Sequence, residues 1–337
     1  MKAKFVLAIK QESNPNVRED DASMTTAIPV YAEGDVVIPN PELTRREYQP
    51  LSAFSGYKVV EFFKSWGSMK FSIKRPLPLE VPNFDGSDID IMLQCSGHSR
   101  TILYETSGDS STPIVGYEYM PDTDNKETMS IDIIGDELKY EGYGAKSAFS
   151  LLAQVGEPIM TEFALSAAYD DVKSGTFIVP FLSPPKASMI DENDIYGHVK
   201  IGATEVTAAR SEIDEFSLDM GADVVQHKTF NKNGFRIKEF FPSISLKGDV
   251  DSENPYSIDS VLDGDTKALV VRIKDKSTLS DPADERSGKV KWEIVVSSMR
   301  ADSVPSLSDK DGLGYLDQTF NANPTAGNDN YVLRYFI

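Results

Sequence analysis

The chain has 337 residues, 53 acidic and 34 basic, giving a net charge of −19 and a hydrophobic content of 40%. That length predicts two domains, each with enough apolar residues for a core. The acid excess excludes a protein that grips nucleic-acid phosphates, the single cysteine, Cys95, excludes an internal disulfide, and no apolar run approaches the ~20 residues of a membrane span.

Residues 5–10 read as a first strand. The apolar patch here is too short for a signal-peptide core and lacks a small-residue cleavage site, which points to a cytosolic chain. Residues 11–24 are polar and contain Asn14-Pro15-Asn16, the composition of a loop or mobile arm. Residues 25–40 alternate towards Val36-Val37-Ile38 and predict a strand. A long polar loop follows at 40–55, carrying Arg45, Arg46, Glu47 and Tyr48. Loops of this length commonly carry a function, and its arginine pair suits either solvent or an acidic neighbouring subunit. Strands are predicted at 56–63 and 69–74, and a short helix at 85–97, where Ile89, Met92 and Cys95 recur at helical spacing. Strands at 101–105, 114–119 and 129–134 come next, with a Gly/Ser/Asp turn at 107–112 and tight turn chemistry at 140–144. A hairpin at 147–153 and 159–166 surrounds Gly156-Glu157-Pro158. Pro180, Pro184 and Pro185 mark a boundary, giving domains 1–178 and 179–337. The second half reads as strands, among them 243–247, 268–273, 289–296 and 331–336, with a helical piece at 254–263 and loops at 275–287 and 301–314.

One octapeptide occurs twice. Gly56-Tyr57-Lys58-Val59-Val60-Glu61-Phe62-Phe63 returns as Gly234-Phe235-Arg236-Ile237-Lys238-Glu239-Phe240-Phe241. Gly56, Glu61, Phe62 and Phe63 match Gly234, Glu239, Phe240 and Phe241 by identity, three further positions match in kind, and only Val60 against Lys238 breaks the series. Both copies have strand chemistry. Each is preceded by a polar stretch and followed by a strand, an aspartate-rich helical piece and another strand. A repeat of this span implies a duplicated domain rather than a solenoid, whose period is ~20–50 residues.

No catalytic constellation is present. His98, His198 and His227 stand in unrelated segments, and neither a nucleophile elbow, a zinc-protease motif nor a Cys-x-x-Cys pair occurs. Gly142-Tyr143-Gly144-Ala145-Lys146-Ser147 ends like a phosphate loop but lacks its glycine spacing and its following helix. Asp309-Lys310-Asp311-Gly312 opens like a calcium loop but lacks the third acidic ligand and closing glutamate. The sequence therefore predicts no enzyme, no metal and no cofactor.

The ordered series of segments resembles the tail tube (major tail) proteins of long-tailed bacteriophages. Its members here are a first strand ending at Lys10 and Glu12, Ala27-Ile28-Pro29, the passage Asn40-Pro41-Glu42-Leu43-Thr44-Arg45-Arg46-Glu47 and the strand closing at Phe71-Ser72-Ile73. Met92-Leu93-Gln94-Cys95-Ser96-Gly97, Tyr119-Met120-Pro121, the Thr128–Gly135 strand, Gly144-Ala145-Lys146 and a strand pair ending at Phe163 complete it. It covers most of residues 1–180; the second half joins it through the duplication. The resemblance implies a mainly β fold with short helices, in which two tandem sandwich- or barrel-like domains lend strands to an inter-subunit barrel. It implies a structural virion protein, made in the host cytoplasm, that stacks as rings into a tube through which DNA passes without specific binding. Its partners would be itself, the tape measure, tail terminator and distal tail proteins. The duplication favours a pseudo-sixfold trimer over a hexamer, with Arg45, Arg46, Glu47 and Tyr48 as candidate contacts between subunits or rings. The alternatives are a carbohydrate-binding or adhesin β-sandwich, with Trp66 and Trp292 stacking on sugars, and a minor tail component of the same fold.

Overall fold

A computed structural model describes residues 6–20, 24, 26–28, 42–48, 59–81, 83–135, 137–154, 157–175, 198–201, 204–206, 213–228, 233–249, 266–275, 289–303, 306–310, 313–325 and 329–337. These residues are mainly β, with a single helix. The first half contains β1 (Val6–Gln11), β2 (Thr26–Ile28), β3 (Glu42–Tyr48), β4 (Val59–Pro76), α1 (Asp88–Cys95), β5 (His98–Tyr104), β6 (Ile114–Pro121), β7 (Met129–Ile134), β8 (Leu138–Gln154) and β9 (Met160–Ser174). The second contains β10 (His198–Ile201), β11 (Thr204–Val206), β12 (Ile213–Asp219), β13 (Ala222–Lys228), β14 (Asn233–Phe240) and β15 (Ser243–Asp249). It continues with β16 (Lys267–Asp275), β17 (Lys289–Ala301), β18 (Ser306–Lys310), β19 (Leu313–Ala322) and β20 (Val332–Phe336).

Among the described residues every pairing is antiparallel. In the first half β2 pairs β1, β1 pairs β7, β7 pairs β8, β8 pairs β9, β9 pairs β4 and β4 pairs β3. The second half runs the same course: β11 to β10, β10 to β16, β16 to β17, β17 to β19 and β19 to β15. Here the hairpin β13–β14 immediately precedes β15 and forms a separate two-stranded sheet. The first-half hairpin instead continues without a break, because β4 runs on past Phe63 to Pro76. In the second half Pro242 stands at the corresponding break; lacking an N–H, it cannot donate to a ladder.

Two seams join the halves. β12 lies between β15 and the C-terminal part of β8, and β20 lies between β17 and β6. One apolar core runs through both halves, from Leu7 and Ile73 through α1 and Phe149 to Leu246, Trp292 and Leu333. Ser87 caps α1 by accepting from the Asp90 N–H, Asp88 and Asp90 occupy the first turn, and Gly97 follows the end at φ +79°. Residues 89–95 are all buried, so the helix is enclosed on every side rather than one-faced.

The predicted strands at 69–74, 114–119, 129–134, 243–247, 268–273 and 289–296 fall within strands of the fold, and those predicted at 5–10, 101–105 and 331–336 fall within β1, β5 and β20 apart from one terminal residue each. Three local readings are corrected. Residues 42–48 form β3 rather than a loop; the segment lacks alternation, and pairing with β4 overrides its weak local preference. Residues 140–144 run inside β8, where Gly144 takes φ +58° and the register slips between Tyr143 and Lys146, so the glycines make a bulge instead of a turn. Residues 306–310 form β18 within the stretch 301–314 predicted to be loop, and β19 begins at Leu313 near its end. Of the loop or mobile arm predicted at 11–24, residues 12–20 take the form of a loop, held to β7 by Glu19 and Arg18 and to β8 by Arg18. The predicted strand at 36–38, the helical piece at 254–263 and the domain boundary near residue 180 lie outside the described residues.

Candidate assembly surface

The described residues of the first copy, 59–63, and residues 234–240 of the second sit in hairpins, each paired to the strand just upstream. In β3–β4, Arg45 lies opposite Phe62, Arg46 opposite Glu61, Glu47 opposite Val60 and Tyr48 opposite Val59, with Phe63 opposite Thr44. The two sets of residues singled out by sequence, the arginine passage and the repeated strand, therefore belong to one hairpin. Gly56 lies outside the described residues. In β14, Phe235 faces Gln226 and Gly234 faces His227.

The second hairpin rests on the first half of the chain. β13 and β14 pack on β8, and β14 also on β9. The approach is so close that a Cβ on Gly234 would fall inside the Asn16 side-chain amide, and one on Gly144 would meet the same amide and the Gly234 backbone. Ile237 and Phe240 press on Gly97 at the end of α1, where a Cβ would also collide. Asn233 is buried and donates from Nδ2 to the Gly67 carbonyl in β4 at 3.1 Å, so the turn end of the second hairpin meets the base of the first. Glu239 is exposed and paired with Lys238 at 2.8 Å. Phe241 follows the hairpin and is 64% exposed, its N–H donating to the Gly221 carbonyl.

The surface beneath is built by the turn after β1. Glu12 is buried and accepts from Thr128 Oγ1 at 2.6 Å, Gly144 N at 2.7 Å and Ser130 Oγ at 3.0 Å. Burial pushes its carboxyl up, against the pull of these donors. Arg18 reaches over to Asp132 at 2.7 Å and Glu141 at 3.5 Å, while Lys139 and Lys173 each approach Glu141 at 2.6 Å. Burial raises the Asp132 carboxyl even beside these cations. Sequence reading missed Asn16, Gly144 and Asn233 as contact residues. The signals were the Asn-Pro-Asn turn and the paired glycines of 142–144, which mark close backbone approach as readily as a turn.

His98 and Asp90 belong to buried polar networks around α1. His98 is fully buried; Nδ1 lies 2.9 Å from the Leu93 carbonyl and so carries the proton, leaving Nε2 to accept from Tyr331 Oη at 2.8 Å. Burial lowers its pKa to about 4. Asp90 is the hub of the aspartate-rich piece, accepting from Tyr119 Oη at 2.6 Å, Arg100 Nη1 at 2.7 Å, and Gly86 N and Gln94 Nε2 at 2.8 Å. Burial raises the Cys95 thiol far above its usual range and lowers the Lys146 ammonium, whose Nζ donates to the Asn125 main-chain and side-chain carbonyl oxygens. Among the described residues no three His, Cys, Asp or Glu side chains could together hold a metal, and no helix is long and apolar enough to cross a membrane. The chain matches no family model, and no curated protein matches it.

Proposed function

We propose that this chain is the repeating subunit of a tail tube of the kind built by long-tailed phages, with no catalytic role. The observation that carries the reading is the strand path followed in both halves, each ending in a hairpin of the repeated octapeptide. A duplicated unit with one hairpin per half gives the angular repeat that a ring needs, so three chains would present six equivalent hairpins. A heterologous contact repeated in this way closes into a ring instead of ending at a dimer. Strand edges that endanger a monomer become assembly surfaces in such a ring. The described strands of the hairpins nearly balance charge, with Glu42, Glu47, Glu61, Asp223 and Glu239 against Arg45, Arg46, Lys64, Lys228, Arg236 and Lys238. Hairpins lining a channel would neither hold DNA phosphates nor add much to their repulsion. The whole-chain acid excess would then face elsewhere.

Trp292 argues against the sugar-binding alternative: it is buried, with Nε1 donating to the Pro78 carbonyl at 2.8 Å. Sedimentation velocity across a wide concentration range tests the proposal. It predicts species at three-chain multiples that grow with concentration; a monomer at every concentration contradicts it.

A further inference from the structure

We infer that the β3–β4 hairpin docks on a second copy of this chain, on the strip of β17 that includes Ser297 and Ser298. The inference rests on the assembly reading above and names its contact. Within one chain the hairpin of the second half rests on the first half, across Gly144. The hairpin of the first half carries the same octapeptide, yet among the described residues its strands pair only with each other until β9 joins β4 at Ser68. If both hairpins dock alike, the first requires a second half, and it cannot take the one in its own chain by the same relation. A head-to-tail relation repeated along a ring must pass to the next copy.

The matching strip follows from strand equivalence. β7 and β16 occupy the same place in the two strand paths, and each meets the next strand through a register slip. Met129 lies opposite Ala145 and Ile131 opposite Gly142 in β8, while Lys267 lies opposite Met299 and Leu269 opposite Val296 in β17. The slip leaves Tyr143 and Gly144 between the paired positions of β8, and Ser297 and Ser298 between those of β17. Ser297 is exposed and Ser298 half-buried. Two small side chains thus stand where the first half has the glycine that lets a hairpin approach closely, and Ser297 lies open to solvent.

The test is photo-cross-linking with p-benzoylphenylalanine in place of Ser297, in a mixture of isotopically light and heavy full-length chains. The expected product joins two different chains through a peptide within residues 42–66. The second variant is Ser297→Arg, expected to lower assembly at least tenfold at fixed concentration with an unchanged circular dichroism spectrum and melting temperature. Assembly at wild-type yield in Ser297→Arg, or assembled chains whose links are intrachain or reach other segments, would overturn this contact and leave the assembly reading standing. A wild-type chain that stays monomeric at all concentrations would remove both.

Discussion

Tyr331 and His98 show how single polar atoms tie the halves together, since the phenol of the last segment is the donor that a ring nitrogen beside α1 requires. Removing that hydroxyl leaves a buried acceptor without its donor, a loss of ~1–3 kcal/mol. Tyr331→Phe is accordingly expected to lower stability by that amount in urea unfolding at pH 7. His98 also gives a pH dependence. Its pKa in the folded chain, about 4, lies below the ordinary 6.5, so the unfolded chain binds the proton more readily. The stabilising contribution of neutral His98 is complete above pH 6.5 and disappears as pH falls through about 4. Over that window it amounts to about 3 kcal/mol at the usual 1.36 kcal/mol per pKa unit. His98→Gln should lose less stability than the parent between pH 7 and pH 4.5, since the remaining titratable groups are common to both. Equal losses in parent and variant would show that His98 does not titrate in this window.

At the scale of elements, the β13–β14 hairpin depends on close backbone approach rather than on its own ladder. A two-stranded sheet is marginal by itself, and this one is held at Asn16, Gly97 and Gly144. Gly234→Ala is expected to lift it from that surface. Hydrogen exchange would then show lost protection across residues 222–240, with the amides of β8 and β9 protected as before; unchanged protection in the hairpin would contradict the account. The strands with clean alternation were legible in the sequence, as in β4, where Met69, Ile73 and Arg75 are buried and Lys70, Ser72 and Lys74 are exposed. So was α1, through the recurrence of Ile89, Met92 and Cys95. β3 was not, because Glu42-Leu43-Thr44-Arg45-Arg46-Glu47-Tyr48 has no periodicity and takes its strand form from its partner. The glycines of 142–144 misled for a related reason: a bulge and a turn use the same residue, and only the pairing of β8 with β7 and β9 distinguishes them.

At the scale of the molecule, the halves are not packed as separate beads. Trp292 donates to Pro78, the Val81 N–H donates to Tyr335 Oη, Phe84 stacks on Tyr335 at 4.2 Å, and Arg334 bridges Glu118 and Glu293. A core continuous across both halves unfolds as one unit, so calorimetry is expected to give a single transition; two separated transitions would contradict a shared core. Sequence suggested the duplication through the octapeptide, but it could not indicate that the second hairpin rests on the first half, since that depends on backbone distances with no local signature. The central claim is that two hairpins per chain make one angular repeat of a tube. Electron cryomicroscopy of the purified protein tests it most directly. The account predicts stacked rings of three chains with six similar lobes each, whereas a ring of six chains, or particles that never exceed one chain at high concentration, would contradict it.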